Sequence, residues 1–197
     1  METALYTPPN WIERLNWQNV FADSRPIEVD VGCGKGGFLL WAAQTRLDRN
    51  FLGVERLLLR LRKVDKKIRR LGLANVRLIR IEASYLIAKL IPESSVSAYH
   101  IYFPDPWPKR RHHRRRLFSP AFVGDLRRTL QPGGVVNVAT DQENYFEEIT
   151  TLMQESGAFV AESPLSLPDE ARTEFERGFL AEGKPVFRGR WKRAAGV

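Results

Sequence analysis

Hydrophobic and polar positions follow one another along the chain in a pattern that predicts strands and helices in turn. Residues 26–31 are a short run rich in β-branched side chains that ends in glycines, and residues 38–44 then have helical periodicity. Residues 51–54 predict a second strand, and the amphipathic segment after them predicts a helix that ends at Gly72. The same alternation predicts strands at 76–81, 97–103, 135–139, near Phe159 and at 186–191, with helices at 85–90, 120–130 and 143–155.

Repeated β-α units of this kind are typical of an α/β fold. We expect a mostly parallel sheet with helices on both faces and with ligands at the carboxyl ends of its strands. A chain of 197 residues is long enough for one core and short for two, so we expect a single domain. Residues 26–197 would form its core, and residues 1–25 a short helical segment in which Trp11, Ile12 and Leu15 pack.

The composition limits the expected location and cofactors. The apolar runs fall far short of the roughly 20 residues that a membrane-spanning helix needs, and we expect no signal sequence. Cys33 is the one cysteine in the sequence, so an intrachain disulfide is impossible and a cytoplasmic location is expected. The spacing of histidines and cysteine does not match a zinc site, and no metal is expected.

Positive charge is concentrated in segments rather than spread along the chain. The net charge is +8, and residues 109–116, 56–70 and 183–197 carry far more cations than acids. Such clustering is typical of nucleic-acid binders. The cations of 56–70 lie opposite an apolar helical stripe, so a solvated helix face and an RNA contact are both compatible with them. Residues 109–116 have no such stripe, which favours contact with RNA phosphates through Arg111, His112, His113, Arg114, Arg115 and Arg116.

A glycine-rich turn joins the first strand to the first helix. Gly32, Gly34 and Gly36 allow a sharp turn and a close approach of a cofactor to the backbone at the helix N-terminus. The motif alone also fits a dinucleotide site or a purely structural turn.

Acids at successive strand ends narrow the choice of cofactor. Glu55 follows the second strand, where a carboxylate suits the hydroxyls of a ribose. Glu82 follows the third strand and suits an adenine amino group, whereas Asp30 suits the ammonium of an amino-acid moiety. Together they favour S-adenosylmethionine over a nicotinamide cofactor. Helix capping is the alternative for each acid taken alone.

The fourth strand leads into the sequence Phe-Pro-Asp-Pro-Trp-Pro at residues 103–108. The prolines stiffen the turn that carries Asp105, and Trp107 either stacks on a base or packs within the turn. A carboxylate there can accept hydrogen bonds from a nucleobase, while the cations that follow hold phosphates.

These motifs together resemble those of the bacterial tRNA (guanine-N7-)-methyltransferases, over about residues 26–191. The glycine turn is generic to methyltransferases. The sequences of the segments 103–109, 139–141 and 173–176 are restricted to far fewer proteins than the glycine turn. The chain departs from the usual family pattern at Asp30, where Glu is common, and at Glu82, where Asp is common.

The resemblance implies a Rossmann-like class I methyltransferase fold with a seven-stranded sheet. It implies an enzyme, monomeric or homodimeric, that methylates N7 of a guanosine in the tRNA variable loop, position 46 in tRNA numbering. Cofactor contacts are implied for Asp30, Glu55, Glu82 and Asp105, and substrate contacts for Lys109, Asp141, Thr173, Glu174, Phe175 and Glu176. Three of these have a structural alternative, since Asp141 fits a helix N-cap and Thr173 with Glu176 fits a capping box.

Guanine N7 carries an in-plane lone pair and no proton, so attack on a sulfonium methyl needs positioning more than a general base. We therefore expect Asp105 to orient guanine or to stabilise the positive charge that develops on it. An RNA exocyclic-amine methyltransferase and a noncatalytic RNA-binding module on the same fold are the alternative functions.

Overall fold

The computed structural model describes residues 3–195, which contain one eight-stranded sheet. The strand order is β1-β4-β3-β2-β5-β6-β8-β7. The first six strands pair in parallel, and β8 runs antiparallel to its neighbours β6 and β7. The predicted mostly parallel α/β sheet is thus confirmed. The strands are β1 (Leu5–Tyr6), β2 (Ile27–Val31), β3 (Asn50–Glu55), β4 (Val76–Arg80), β5 (Val96–Tyr102), β6 (Leu130–Thr140), β7 (Phe159–Glu162) and β8 (Phe187–Arg193).

The five helices predicted between residues 38 and 155 form close to their predicted positions, because the turn and capping residues act locally. The helix Glu174–Ala181 was not predicted. Gly72 ends one helix with φ 66°, and the Ser119 hydroxyl accepts a bond from the Phe122 amide at the start of another. The helices are α1 (Trp17–Phe21), α2 (Gly37–Thr45), α3 (Leu58–Leu71), α4 (Ala83–Tyr85), α5 (Pro120–Thr129), α6 (Glu143–Glu155) and α7 (Glu174–Ala181); Leu86–Leu90 is a π-helical turn, and Arg110–Arg115 and Asp169–Ala171 are 3-10 helices.

Helices cover both faces of the sheet. Side chains alternate across a strand, so the two faces bury different sets of residues. One layer contains the buried residues of α2 and α3, including Phe38, Leu61 and Ile68. The other contains those of α5 and α6, including Leu126 and Tyr145. The sheet is therefore held from both sides, with its strand ends free to form a site.

The N-terminal segment differs from the expectation. Residues 11–15 are not helical, Trp11 and Ile12 are exposed, and the helix begins later, after Asn16. Leu15 does pack in the core, as expected. Upstream of it, β1 adds an eighth strand by pairing with β4. The Ala4 carbonyl accepts a bond from the Leu78 amide at 2.8 Å, and the Ala4 amide donates to Asp65 at 2.7 Å. Residues Leu5 and Tyr6 thus form a strand by pairing with the exposed edge of β4, although their sequence shows no alternation of apolar and polar side chains.

Close packing of α2 on the sheet requires a glycine in β3. A Cβ on Gly53 would lie 2.6 Å from Leu39 Cδ2 and 2.8 Å from Leu78 Cδ2. We predict that Gly53→Ala lowers the free energy of unfolding by about 1–3 kcal/mol through overpacking, measured by denaturant titration. The matched control is Gly124→Ala on α5, where a Cβ meets nothing within 4 Å. The control is expected to be neutral or stabilising, and equal losses in both variants would contradict the packing argument.

Candidate active site

The strand order brings the predicted acids to one edge of the sheet. From β2 the chain moves outward through β3 to β4, then returns to place β5 on the other side of β2. Such a reversal leaves a crevice at the carboxyl ends of the two central strands. The acids that stand at or directly after the ends of these parallel strands are Asp30, Glu55, Glu82, Asp105 and Asp141.

The glycine turn has a left-handed backbone conformation that glycine adopts without strain. Gly32, Gly34 and Gly36 all have positive φ, at 76°, 54° and 78°. The amides of Gly32 and Cys33 both donate to the Val54 carbonyl at 2.9 Å, which fixes the turn against β3. Helix α2 begins at Gly37, and its N-cap Gly36 makes no side-chain hydrogen bond. The first amides of a helix that lacks such a cap can serve as donors to a bound anion or ligand.

Asp30 is a buried carboxylate beside another acid. Its residue surface is 3% exposed, and burial followed by the charge of Glu55 raises the pKa of Asp30 to about 7. A bound ammonium group would reverse that shift, because an opposite charge at short range favours the ionised form. This environment fits the amino end of S-adenosylmethionine.

Glu55 and Glu82 both accept hydrogen bonds from backbone amides that follow them. Glu55 Oε1 accepts bonds from the amides of Arg56 at 2.7 Å and Leu57 at 3.0 Å. The N-cap of α3 is Leu57, so Glu55 does not cap that helix. Glu82 is the N-cap of α4 and accepts from the Tyr85 amide at 2.9 Å and from the Ser84 hydroxyl. These bonds orient both carboxylates, and each carboxylate has two oxygens with several acceptor sites, which leaves capacity for a ligand.

Cys33 is buried in the glycine turn beside these acids. Burial, and next the charges of Asp30 and Glu55, raise the pKa of the Cys33 thiol well above its usual value, which keeps it protonated. Among residues 3–195, no three His, Cys, Asp or Glu side chains are grouped as metal ligands would be. Within that range, no helix is both long and apolar enough to cross a bilayer.

Asp105 lies in an exposed loop whose backbone is strained. Phe103 and Trp107, two residues to either side, have φ of 54° and 44°, a left-handed conformation that is uncommon for residues other than glycine. Each such residue costs about 1–3 kcal/mol, and the surrounding structure must hold it. The Phe103 amide donates to the Ala139 carbonyl at 2.7 Å, and its ring lies 5.5 Å from that of Phe179 on α7.

The cationic run folds back over Trp107. The Arg115 guanidinium carbon lies 5.0 Å from the centroid of the Trp107 ring, and the His112 ring meets it edge-on at 5.9 Å. Trp107 therefore packs within the turn. The side chains of Lys109, Arg111, Arg114 and Arg115 are exposed, while His112 and His113 are half-buried.

Arg116 differs from the rest of the run, because its side chain is only 2% exposed. Its Nε donates to the Pro106 carbonyl at 2.8 Å, and its guanidinium pairs with Glu148 on α6. The sequence does not distinguish this arginine from the exposed ones.

The segment 173–176 begins α7 and divides into an outer and an inner pair. The Thr173 hydroxyl accepts a bond from the Glu176 amide at 3.2 Å, which confirms Thr173 as the N-cap; the return bond of a capping box is not made, because the Glu176 carboxylate pairs with arginines. Glu174 pairs with Lys35 of the glycine turn at 2.5 Å, and Phe175 is 57% exposed. Glu176 is buried.

Glu176 forms ion pairs with two arginines, Arg188 on β8 and Arg172. Its carboxylate thus faces the protein interior in this conformation. A Cβ on Gly37 would lie 3.3 Å from the Arg172 carbonyl, so this segment packs directly on the start of α2. Neither arginine was singled out by the sequence, since isolated cations carry no motif.

Asp141 is not a helix cap. The N-cap position of α6 is Gln142, which makes no side-chain cap bond, and Asp141 accepts a bond from the Gln142 side-chain amide at 2.6 Å. The capping alternative is therefore excluded for this half-buried acid, and its assignment to the substrate stays a prediction.

Comparison with known proteins gives the family. Residues 24–189 match the family model described as "Putative methyltransferase". The chain is 36% identical to the tRNA (guanine-N(7)-)-methyltransferase of Nitrosococcus oceani over 91% of this chain and 77% of that protein. It belongs to the tRNA (guanine-N(7)-)-methyltransferase family. The enzyme of Geobacter metallireducens is 32% identical over 91% of this chain and 88% of its own length.

A third relative is longer than the chain. The tRNA (guanine-N(7)-)-methyltransferase of Thermotoga maritima is 34% identical over 88% of this chain, which spans 56% of that protein. Solved structures support the fold. The 16S rRNA methyltransferase KamB has a TM-score of 0.68 at 17% identity, covering 90% of this chain and 92% of that chain. The aminoglycoside resistance methyltransferase NpmB1 has a TM-score of 0.62 at 18% identity, with 90% and 92% covered. These structures thus confirm the predicted fold, and membership of the family confirms the predicted methyltransferase.

The raised pKa of Asp30 predicts a pH dependence of cofactor binding. Below its pKa of about 7, the carboxyl must lose a proton before it can pair with an ammonium group. Affinity for S-adenosylmethionine should therefore fall about fivefold from pH 7 to pH 6, as measured by calorimetry. Asp30→Asn should bind more weakly and without this slope. An equal slope in both proteins would contradict the assignment.

Proposed function

We propose that this enzyme transfers the methyl group of S-adenosylmethionine to N7 of a guanosine in the variable loop of tRNA. The observation that carries the proposal is the position of Asp105. It is an exposed carboxylate at the sheet edge that holds Asp30 and the glycine turn, and a cationic surface follows it directly. Acceptor recognition and phosphate contact therefore lie on one loop. The residues that support an RNA contact by their exposure are Lys109, Arg111, Arg114 and Arg115.

The donor site is assigned to the ends of β2, β3 and β4. Asp30 would hold the amino group, Glu55 the ribose and Glu82 the adenine, next to the glycine turn. When bound, S-adenosylmethionine supplies a methyl group on a positively charged sulfur. The protein's part is to hold that methyl in line with the acceptor nitrogen, and proximity and orientation are worth up to about 7–11 kcal/mol in well-aligned cases.

Asp105 acts on the acceptor without removing a proton from N7. Methylation moves positive charge onto the guanine ring, and a carboxylate close to the ring stabilises that charge as it develops. The same group can accept hydrogen bonds from the N1 and N2 edge of guanine. Asp141 follows the neighbouring strand β6 and is the second acid assigned to the base.

The exposed pair Glu174 and Phe175 extends this assignment to α7. The ion pair between Glu174 and Lys35 joins α7 to the glycine turn, and the contact of Phe179 with Phe103 joins it to the loop of Asp105. The helix therefore borders both the donor and the acceptor sides. Phe175 offers an exposed aromatic face of the kind on which unpaired bases stack. Thr173 and Glu176 support this surface from within, by the cap and the buried ion pairs.

The proposal is tested by mapping the product. Unmodified tRNA is incubated with the protein and methyl-tritiated S-adenosylmethionine, and the labelled RNA is treated with borohydride and aniline. N7-methylguanosine makes RNA cleavable under this treatment, whereas methylated exocyclic amines do not. We expect one cleavage site, in the variable loop. Labelled RNA that is not cleaved would indicate an amine methyltransferase. If the RNA carried no label and the protein bound no cofactor, the protein would be a noncatalytic RNA-binding module.

The role of Asp105 is tested by Asp105→Asn. The variant keeps the shape of the side chain but loses the charge, and we predict a fall in kcat of about 100-fold or more. Binding of tRNA, measured by filter retention, should change little. The matched control is Asp48→Asn, since Asp48 has a side chain that is 74% exposed and precedes β3 at the opposite edge. Full turnover by Asp105→Asn at saturating cofactor and tRNA would contradict the role assigned to the Asp105 carboxylate.

A further inference from the structure

Arg116 has the contacts of a structural residue at the end of an RNA-binding run. Its neighbours Arg114 and Arg115 are exposed, whereas Arg116 is 6% exposed as a residue and 2% as a side chain. A phosphate contact requires a guanidinium that solvent can reach, because the phosphates of a docked RNA lie at the protein surface. Arg116 does not meet this requirement in the structure.

The guanidinium of Arg116 is held by three groups at once. Nε donates to the Pro106 carbonyl at 2.8 Å, and the terminal nitrogen Nη1 pairs with Glu148. The guanidinium carbon lies 4.5 Å from the centroid of the Tyr145 ring, in cation-π geometry. Tyr145 and Glu148 are three residues apart on α6 and so share one helix face. Arginine alone among the cationic residues offers a planar set of donors for such a combination.

These contacts close the loop that carries Asp105. Pro106 is the residue directly after Asp105, and its bond to Arg116 spans ten positions of the chain. The Tyr145 hydroxyl also accepts a bond from the Phe118 amide at 3.3 Å. The far end of the loop is therefore fixed to the same part of α6. Between these anchors lies Trp107, whose left-handed backbone must be held by its surroundings.

We propose that Arg116 is a positioning residue that fixes Asp105 by joining the Pro106 carbonyl to Glu148 and Tyr145 of α6, and that it makes no contact with RNA. The inference rests on the proposed function, because the acceptor site that Asp105 serves is the one assigned above. It adds that the run of residues 109–116 has two roles. Its exposed cations bind RNA, and its last member sets the geometry of the loop.

The test compares Arg116→Lys with Arg114→Ser. Lysine keeps the charge but not the planar set of donors, so Arg116→Lys should lower kcat about 10- to 100-fold at saturating cofactor and tRNA, the scale expected for a misplacement near 1 Å. The dependence of log affinity for tRNA on log salt should stay as in the unmodified protein. Arg114→Ser should instead reduce that slope by about 0.7–0.9, the value for one lost phosphate contact.

A second pair of variants tests the same contact from α6. Glu148→Gln removes the charge partner and should also lower kcat with an unchanged salt slope. Its matched control is Glu147→Gln, because Glu147 is an exposed neighbour on the same helix and should behave like the unmodified protein. These variants also decide the question if Arg116→Lys does not fold.

Hydrogen-deuterium exchange gives a readout that does not depend on activity. Peptides covering residues 103–116 should exchange faster in Arg116→Lys and Glu148→Gln, and not in Glu147→Gln. Unchanged kcat together with unchanged exchange, or a loss of salt slope equal to that of Arg114→Ser, would overturn the proposal. Failure of the proposed function is distinguishable, since it would show as absence of N7-methylguanosine with the unmodified protein while the exchange result still stands.

Discussion

The site depends on the parallel pairing of β2 with both β3 and β5. Because the chain moves outward from β2 in one direction and then returns to its other side, strands that are distant in sequence end side by side. Each of these strands brings an acid to its carboxyl end, within the strand at Asp30 and Glu55 and in the following loop at Asp105. The core on either face consists of helices whose apolar sides cover this sheet. The order of the strands in the sheet is thus sufficient to place the donor and acceptor groups at the same end of the sheet.

The site lowers the stability of the fold, and the residues that do so are the ones to which the chemistry is assigned. Asp30 is buried next to Glu55, with a raised pKa, and Asp105 stands between two residues in left-handed conformations. Buried charge and backbone strain persist only where the surroundings hold them. The surroundings here are specific: the glycine turn and α7 on the donor side, and Arg116 with α6 on the acceptor side. The enzyme family and the proposed reaction give these features a common purpose.

Much of this arrangement could be predicted from the sequence, because it depends on local signals. Glycine turns, strand ends and the Thr173 cap act over a few residues, so their positions were predicted correctly. The strand β1 carries two residues and no alternation, and it forms only because the β4 edge is available. Arg116 has the same neighbours in sequence as the exposed arginines, and only the approach of α6 separates it from them. Burial of Glu176 likewise depends on its ion pair with Arg188 of β8, a contact that no local motif of the sequence indicates.

The central claim is that the protein positions guanine and stabilises its developing charge, without taking a proton from it. The most direct test is the single-turnover rate constant for methyl transfer in H2O and in D2O, with cofactor and tRNA saturating and at a pH where the rate is constant. Attack by a lone pair on a sulfonium methyl transfers no proton in the step, so equal rate constants are predicted. A clearly smaller rate constant in D2O would show that a proton is transferred in the rate-limiting step and would contradict the account.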